Sequence, residues 1–394
     1  MEIGIVGKPN VGKSTFFKAA TMADAEIANY PFTTIKPNIG MGYVRKICAC
    51  KKFNVVCQPK NSYCAERNRF IPVRMIDVAG LVPGAHEGKG LGNQFLDDLR
   101  VADVLIHVVD SSGRTDETGD ATDNYDVLKD IKFLENEIDM WFFKIMKSGV
   151  EKVKNKIRCS TTDPIKEIAE QFSGLGISEF MLTEAARDAQ IDIKDIWRLD
   201  DETLLKFTRI TRKFSKPMII AANKIDLGFS NFQKIKENYS DDYVVVGVCA
   251  EADLALRRAS EAGIIKYIPG DPNFEITGGN DKQKEALNFI RENILEKFGS
   301  SGVQQCINSA VFDILKYKAV YPVEDEHKLT DGKGNVLPDV HLVPPGATAI
   351  DLAYRVHTDI GDKFIGAINC ETHRKVGRTY EIADDDVIKI IARK

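Results

Sequence analysis

Gly7-Lys8-Pro9-Asn10-Val11-Gly12-Lys13-Ser14 is the stretch of this chain whose residue types and spacing suit phosphate chemistry. Gly7 and Gly12 lack side chains, so the backbone can turn tightly, aim successive N–H groups inward and let phosphate oxygens approach. Lys13 can reach the β- and γ-phosphates, and the Ser14 hydroxyl is placed to hold a magnesium ion bridging them. The apolar run Ile3 to Val6 precedes the loop, and a helix opening at Thr15 follows it. That order adds a helix N-terminus, with its partial positive charge, to the phosphate site.

Further groups complete the chemistry. Asp77, at the end of an apolar strand, can hold a magnesium-bound water, and the Gly80 N–H can reach the γ-phosphate. Asn223-Lys224-Ile225-Asp226 follows another apolar run. The Asp226 carboxylate can accept from guanine N1–H and the N2 amino group together, and adenine offers neither. Lys224 would lie along the base, Asn223 would tie loops together, and a backbone N–H of Cys249-Ala250-Glu251 would bond guanine O6. Thr33 and Thr34, in a proline-bent loop, suit a switch that the γ-phosphate orders. His107 lies within an apolar strand and is expected to be a core histidine bonded to a neighbour.

Positioning these groups requires a parallel sheet whose strand ends converge. The strands expected are Ile39 to Val44, Pro72 to Ile76, Val101 to Asp110, Pro217 to Ala222 and Tyr243 to Val248. Residues 113–215 interrupt them as an all-helical insertion: Leu128, Ile131, Leu134, Ile138, Trp141 and Ile145 recur at helical spacing, giving about five turns. Asp163, Ser178 and Asp200 are expected caps. The basic stretch Lys144, Lys147, Lys152, Lys154, Lys156 and Arg158 is either a solvated helix face or an RNA contact. The expected units are 1–112 and 216–279 for the nucleotide domain, 280–316 for two connecting helices, and 317–394 for a small β-grasp unit.

Cys48, Cys50, Cys57 and Cys64 are spaced C-x-C-x6-C-x6-C. They could form a tetrahedral zinc site, or remain reduced thiols or a local disulfide bracing an excursion between two strands. A net charge of −4 gives no general attraction to DNA, RNA or membrane, so such a partner must meet a local patch. From residue 316 onward 12 Lys and Arg stand against 13 Asp and Glu, leaving Arg374, Lys375 and Arg378 as the candidate patch. No apolar run is long enough to span a bilayer, the phosphate loop leaves no room before it for a targeting peptide, and the eight cysteines suggest reduced thiols in the cytoplasm.

With these motifs, residues 1–112 and 216 to about 275 resemble a guanine-nucleotide-binding domain of the translation-factor-related class. The loop Tyr30 to Thr34 and the run Gly80-Leu81-Val82-Pro83-Gly84-Ala85 resemble the Obg family, closest to its YchF group, which carries a helical insertion here. The resemblance implies a P-loop GTPase three-layer α/β sandwich and puts a magnesium ligand at Thr34. Relatives in that group often lose Asn-Lys-x-Asp and prefer ATP, whereas this chain retains it; Cys249 stands where a serine is usual. Gly346-Ala347-Thr348, Asp351-Leu352-Ala353 and His357-Thr358-Asp359 resemble the TGS domain, which is associated with RNA or ribosome contact. Leu81 replaces the glutamine that orients water in many GTPases, so slow turnover is expected. His86 is a candidate orienter, and Asn10, by resemblance, a candidate ligand of a potassium ion. The resulting expectation is a magnesium-dependent GTPase switch, with two rivals: an ATPase on the same fold, and a ribosome or RNA adaptor that holds nucleotide as a structural ligand.

Overall fold

The computed structural model describes residues 1–21, 38–78, 92–159 and 163–393, without side-chain detail at 92–94, 96 and 157–159. Thr34, Gly80, Leu81 and His86 lie outside the described residues. Seven strands form the main sheet: β1 Glu2–Val6, β2 Ile39–Ile47, β3 Tyr63–Ala65, β4 Asn68–Asp77, β5 Val104–Asp110, β6 Met218–Asn223 and β7 Val244–Val248. Their order is β2-β4-β1-β5-β6-β7, with β3 beside β4. β4, β1, β5, β6 and β7 are mutually parallel, so their carboxyl ends share one edge. All seven residues of β5 and all six of β6 are buried, as expected of parallel strands covered on both faces.

The insertion covers one face. Its helices are Leu128–Cys159, Pro164–Phe172, Glu179–Ala189 and Asp201–Ser215. Asp163, Ser178 and Asp200 accept from the amides of Ile165, Met181 and Thr203 and so cap the last three. The first helix is much longer than the five turns expected, because Met146, Val150 and Val153 continue its buried stripe. Gly149 hides that continuation in the sequence. Its missing Cβ would lie 2.3 Å from the Phe172 ring, so the glycine permits close helix packing rather than ending the helix. The basic stretch on this helix is paired: Lys147 with Asp201 at 2.7 Å, Lys154 with Glu151, and Lys156 with Glu167. These three lysines are thus neutralised on the helix surface.

A small hairpin, β8 Ile265–Lys266 with β9 Glu275–Ile276, precedes the connecting helices. The expected pair is Asp281–Ile290 and Val303–Asn308, each continued by a π-turn segment, Arg291–Leu295 and Ser309–Ile314. The last unit is a five-stranded mixed sheet: β10 Lys318–Val323, β11 His341–Val343, β12 Phe364–Asn369, β13 Arg374–Val376 and β14 Val387–Ala392, ordered β11-β10-β14-β12-β13. Helix Ala349–Val356 lays Leu352 and Ala353 on it, against Val320 and Ile388.

This last unit packs directly against the nucleotide domain. Tyr321, Leu329, Leu337, Val340 and Cys370 share one buried cluster with Phe16, Cys48, Ala49 and Cys50. Backbone bonds run from the Gln58 amide to Val336 O and from the Lys60 amide to Pro338 O, both 2.8 Å. Arg69, fully buried, donates to Leu337 O at 2.6 Å and faces the Tyr321 ring. Tyr321→Ala should therefore cost about 3–5 kcal/mol, the usual price of an aromatic cavity. It should also lower the urea midpoint read by Trp141 and Trp197, which sit in the distant insertion. An unchanged tryptophan midpoint would show that the two units unfold independently.

Candidate nucleotide site

The phosphate loop runs from β1 into helix Lys13–Thr21. Gly7 has φ +148° and Gly12 φ +95°, conformations that favour glycine. A Cβ on Gly7 would lie 2.5 Å from Val108 O, and one on Gly12 2.3 Å from the Asn223 amide nitrogen. Both glycines are thus required by close approach as well as by dihedral. Lys13 is almost buried, and its Nζ donates to Lys8 O at 2.8 Å across the loop. Burial holds its pKa below the ordinary lysine value, against the pull of the Asp77 charge.

Asp77 closes β4, and its carboxylate accepts from Ser14 Oγ at 3.2 Å. Burial pushes its pKa up, opposed by Lys13 and by the serine bond. Two oxygen ligands beside a lysine fit a hard divalent cation of magnesium type, which takes oxygen donors and retains several waters. Thr15 follows Ser14 in the helix and is half-buried.

Asn223 is buried at the end of β6 and joins two loops. Its Nδ2 donates to Val11 O at 2.9 Å, while its Oδ1 accepts from the Ala250 amide at 3.0 Å. Lys224, with φ +59°, donates to Asp110 Oδ2 at 2.8 Å and to Asn10 O at 3.2 Å. Asp226 is exposed. Cys249 is buried beside it, its thiol pushed up to about 12, mainly by burial. The Cys249 amide donates to Ser301 O at 2.9 Å, and the Ala250 amide is taken by Asn223, so neither offers its N–H to guanine. Glu251 stands next, in the first turn of helix Ala250–Glu261.

The Lys8 side chain departs from the phosphate role given to its neighbours. It turns into the insertion, pairs with Asp130 at 2.8 Å, donates to Thr115 O and lies over the Tyr125 ring. Only the main chain of Lys8 and Pro9 lines the loop. Asn10, with φ +61°, sends Nδ2 to Gly119 O at 2.9 Å, so the 113–122 segment covers the loop's outer side.

Two supporting groups escaped sequence reasoning. Asp110 ends β5 and accepts from Lys224, Ser112 and Thr115. Burial raises its pKa, yet these bonds, led by Lys224, leave it below the usual carboxylate value. Its position, ending a strand apolar but for His107, was the available signal. Ser301 holds the Cys249 amide and donates to Asp253, which pairs with Arg257 at 2.6 Å. Nothing local in sequence signals that contact.

This sheet and loop set define a P-loop nucleoside-triphosphate-binding domain of the GTPase class, joined to a TGS domain. Family profiles agree: "50S ribosome-binding GTPase" matches residues 2–142, "Obg-like GTPase YGR210-like, G4 motif-containing domain" matches 221–325, and "TGS domain" matches 333–392. An uncharacterized GTP-binding protein of Methanocaldococcus jannaschii is 50% identical over 99% of this chain and 98% of its own. A ribosome-binding ATPase YchF of Escherichia coli O157:H7 is 27% identical over 98% of both chains. The crystal structure of a GTP-binding protein from Pyrococcus horikoshii OT3 superposes with a TM-score of 0.80, at 40% identity and full coverage of both chains. The chain belongs to the Obg-like, YchF-related family of GTP-binding proteins, whose chemistry is nucleoside-triphosphate hydrolysis. Among the described residues no helix is long and apolar enough to cross a membrane.

His107 lies opposite Val6 in the sheet, directly beneath the phosphate loop. It is buried, but its Nδ1 has no hydrogen-bond partner, which corrects the expectation of a bonded core histidine. Burial, helped by Lys13 and Lys8, pushes its pKa down to about 3. Between about 3 and the unfolded value near 6.5, the unfolded chain binds the extra proton, so stability falls as pH falls through this window. His107→Leu should therefore reduce the stability lost between pH 7 and pH 4 by up to ~3 kcal/mol. Equal losses in variant and parent, by urea titration at both pH values, would contradict this.

Proposed function

We propose that the chain binds and hydrolyses GTP in preference to ATP, as a switch that engages the ribosome. The carrying observation is the Asn223 bridge, which fixes the loop bearing Asp226 against both the phosphate loop and Cys249-Ala250-Glu251. Held there, the Asp226 carboxylate reads the guanine N1–H and N2 edge, Lys224 supports the base, and the Glu251 amide is assigned to O6. The backbone N–H groups of the Gly7–Ser14 loop, Pro9 having none, surround the phosphates, and Lys13 exchanges its bond to Lys8 O for a phosphate oxygen. Ser14 would ligate magnesium directly and Asp77 through a water, Thr34 joining from its place in sequence. Magnesium, when bound, supplies positive charge to the β- and γ-phosphate oxygens. Gly80 is assigned to the γ-phosphate and His86 to orienting water, also from sequence.

Asp226→Ala should shrink the preference for GTP over ATP by about 10²-fold or more, because a site built to bond a polar edge rejects analogues lacking it. Competition of unlabelled GTP and ATP for one labelled nucleotide measures this. A parent protein that prefers ATP would favour the other reading, which the printed name of the YchF relatives supports.

Leu81 cannot orient water, so a monovalent cation is assigned part of that task. Asn10 would offer it Oδ1, its Nδ2 being engaged by Gly119. Turnover should be several-fold faster in potassium than in sodium, and Asn10→Ala should abolish the difference. Equal rates in the two salts for the parent would remove the cation.

The ribosome is assigned to the C-terminal unit, where Arg374, Lys375 and Arg378 are exposed on or beside the edge strand β13. Two sets of relatives carry the names "50S ribosome-binding GTPase" and "Ribosome-binding ATPase". Charge reversal at the three residues, followed by co-sedimentation with ribosomal particles in each nucleotide state, tests the assignment. Turnover that needs no ribosome and no switching would leave an enzyme without that partner, and binding without turnover would leave an adaptor.

A further inference from the structure

Cys48, Cys50, Cys57 and Cys64 come from three separate pieces of chain. Cys48 follows β2 and precedes the one-turn helix Ala49–Lys52, which contains Cys50; Cys57 sits in the following loop, and Cys64 on β3. All four sulfur atoms lie within 4.8 Å of one another, and the Cys48 and Cys57 sulfurs are 3.9 Å apart. Disulfide sulfurs would be ~2 Å apart, and all four thiols are free. Zinc bonds thiolate at about 2.3 Å, so a regular tetrahedron around it has edges of roughly 3.8 Å. The Cys48–Cys57 separation matches that edge, and the other sulfur pairs lie within about 1 Å of it or closer.

Arg69 supplies an independent observation. It is fully buried, and its Nη1 and Nη2 donate only to neutral groups, Ser62 Oγ and Leu337 O. Its Nε has no hydrogen-bond partner, and no carboxylate makes an ion pair with it among the described residues. A buried guanidinium needs a counter-charge. The neighbour it faces is Cys48. The Asp339 carboxylate acts on it from beyond ion-pair distance; four neutral thiols would add no counter-charge, whereas zinc with four thiolates carries a net charge of −2.

From the sulfur geometry and the buried arginine beside it, we infer that Cys48, Cys50, Cys57 and Cys64 bind one zinc ion, which locks the lobe of residues 48–67 onto the C-terminal unit. The site is closed and structural: four protein ligands leave no open position for substrate or water. On binding, the four thiols release their protons to solvent and the ion takes the sulfur lone pairs, with no change of oxidation state. The lobe is where the two units meet, since Gln58, Lys60, Asn61 and Arg69 all bond the 336–340 segment. The ion would hold together a loop that is otherwise fixed mainly by those contacts. This inference is independent of which nucleotide the P-loop takes.

The test uses the full chain, purified without chelator. Elemental analysis should find about one zinc per chain, released when a mercurial blocks the thiols. Cobalt exchanged into the site should show sulfur-to-cobalt charge transfer and the intense visible bands of a tetrahedral tetrathiolate. Zinc removal should speed limited proteolysis within residues 53–62 by about tenfold, as local opening becomes easier. Cys57→Ser should lose the tetrathiolate spectrum; if that variant fails to fold, the cobalt spectrum of the parent decides alone. Zinc-supplemented parent protein that retains no metal after dialysis, holds iron instead, or contains a disulfide among these cysteines would overturn the assignment, as would a Cys57→Ser variant with an unaltered spectrum.

Discussion

One buried amide side chain holds the nucleotide site together. Asn223 gives its donor to the phosphate loop and its acceptor to the Ala250 amide, so the loop carrying Asp226 is tied to the phosphate loop and to the start of helix Ala250–Glu261. The geometry depends on Gly12, because any Cβ there would occupy the space of the asparagine amide. It depends equally on the parallel sheet, which delivers β1, β4, β5, β6 and β7 to one edge. A side chain with one donor face and one acceptor face is what the position demands. Aspartate would repel Val11 O, and a hydroxyl would be too short to span both partners.

Around that bridge the charges are arranged in layers. Lys13 and Asp77 face the phosphate site, each burial-shifted toward its neutral form and each restrained by the other's charge. Behind them Lys224 is held by Asp110, and Lys8 by Asp130. The second pair ties the phosphate loop to the first helix of the insertion, and Asn10 adds a bond to Gly119. The insertion is therefore attached to the loop whose conformation nucleotide would set, not merely inserted between two strands.

The nucleotide motifs were legible because each is a local pattern whose chemistry is carried by consecutive residues. Strand positions, the caps at Asp163, Ser178 and Asp200, and the parallel sheet implied by the alternation of strands and helices followed from the same local logic. Contacts across long sequence separations were not legible. Nothing near Lys8 indicates that its side chain points away from phosphate, and nothing near Cys249 indicates that Ser301 takes its amide. The length of the first insertion helix was hidden by Gly149, which reads as a breaker until Phe172 is seen against it. The joining of the C-terminal unit to the nucleotide domain was hidden for a similar reason: Arg69 and Tyr321 are each ordinary in their own segment, and their contact is one of several that link the two.

That shared core has a consequence for synthesis on the ribosome. Arg69 and its acceptor Leu337 are 268 residues apart. At ~5–20 residues per second, the lobe carrying the four cysteines waits roughly 15–50 s for the strands that will cover it. Throughout that interval Cys48, Ala49 and Cys50, buried in the finished protein, face solvent or a chaperone. The nascent chain thus completes its first strands' packing last, and it spends most of its own translation with these thiols uncovered.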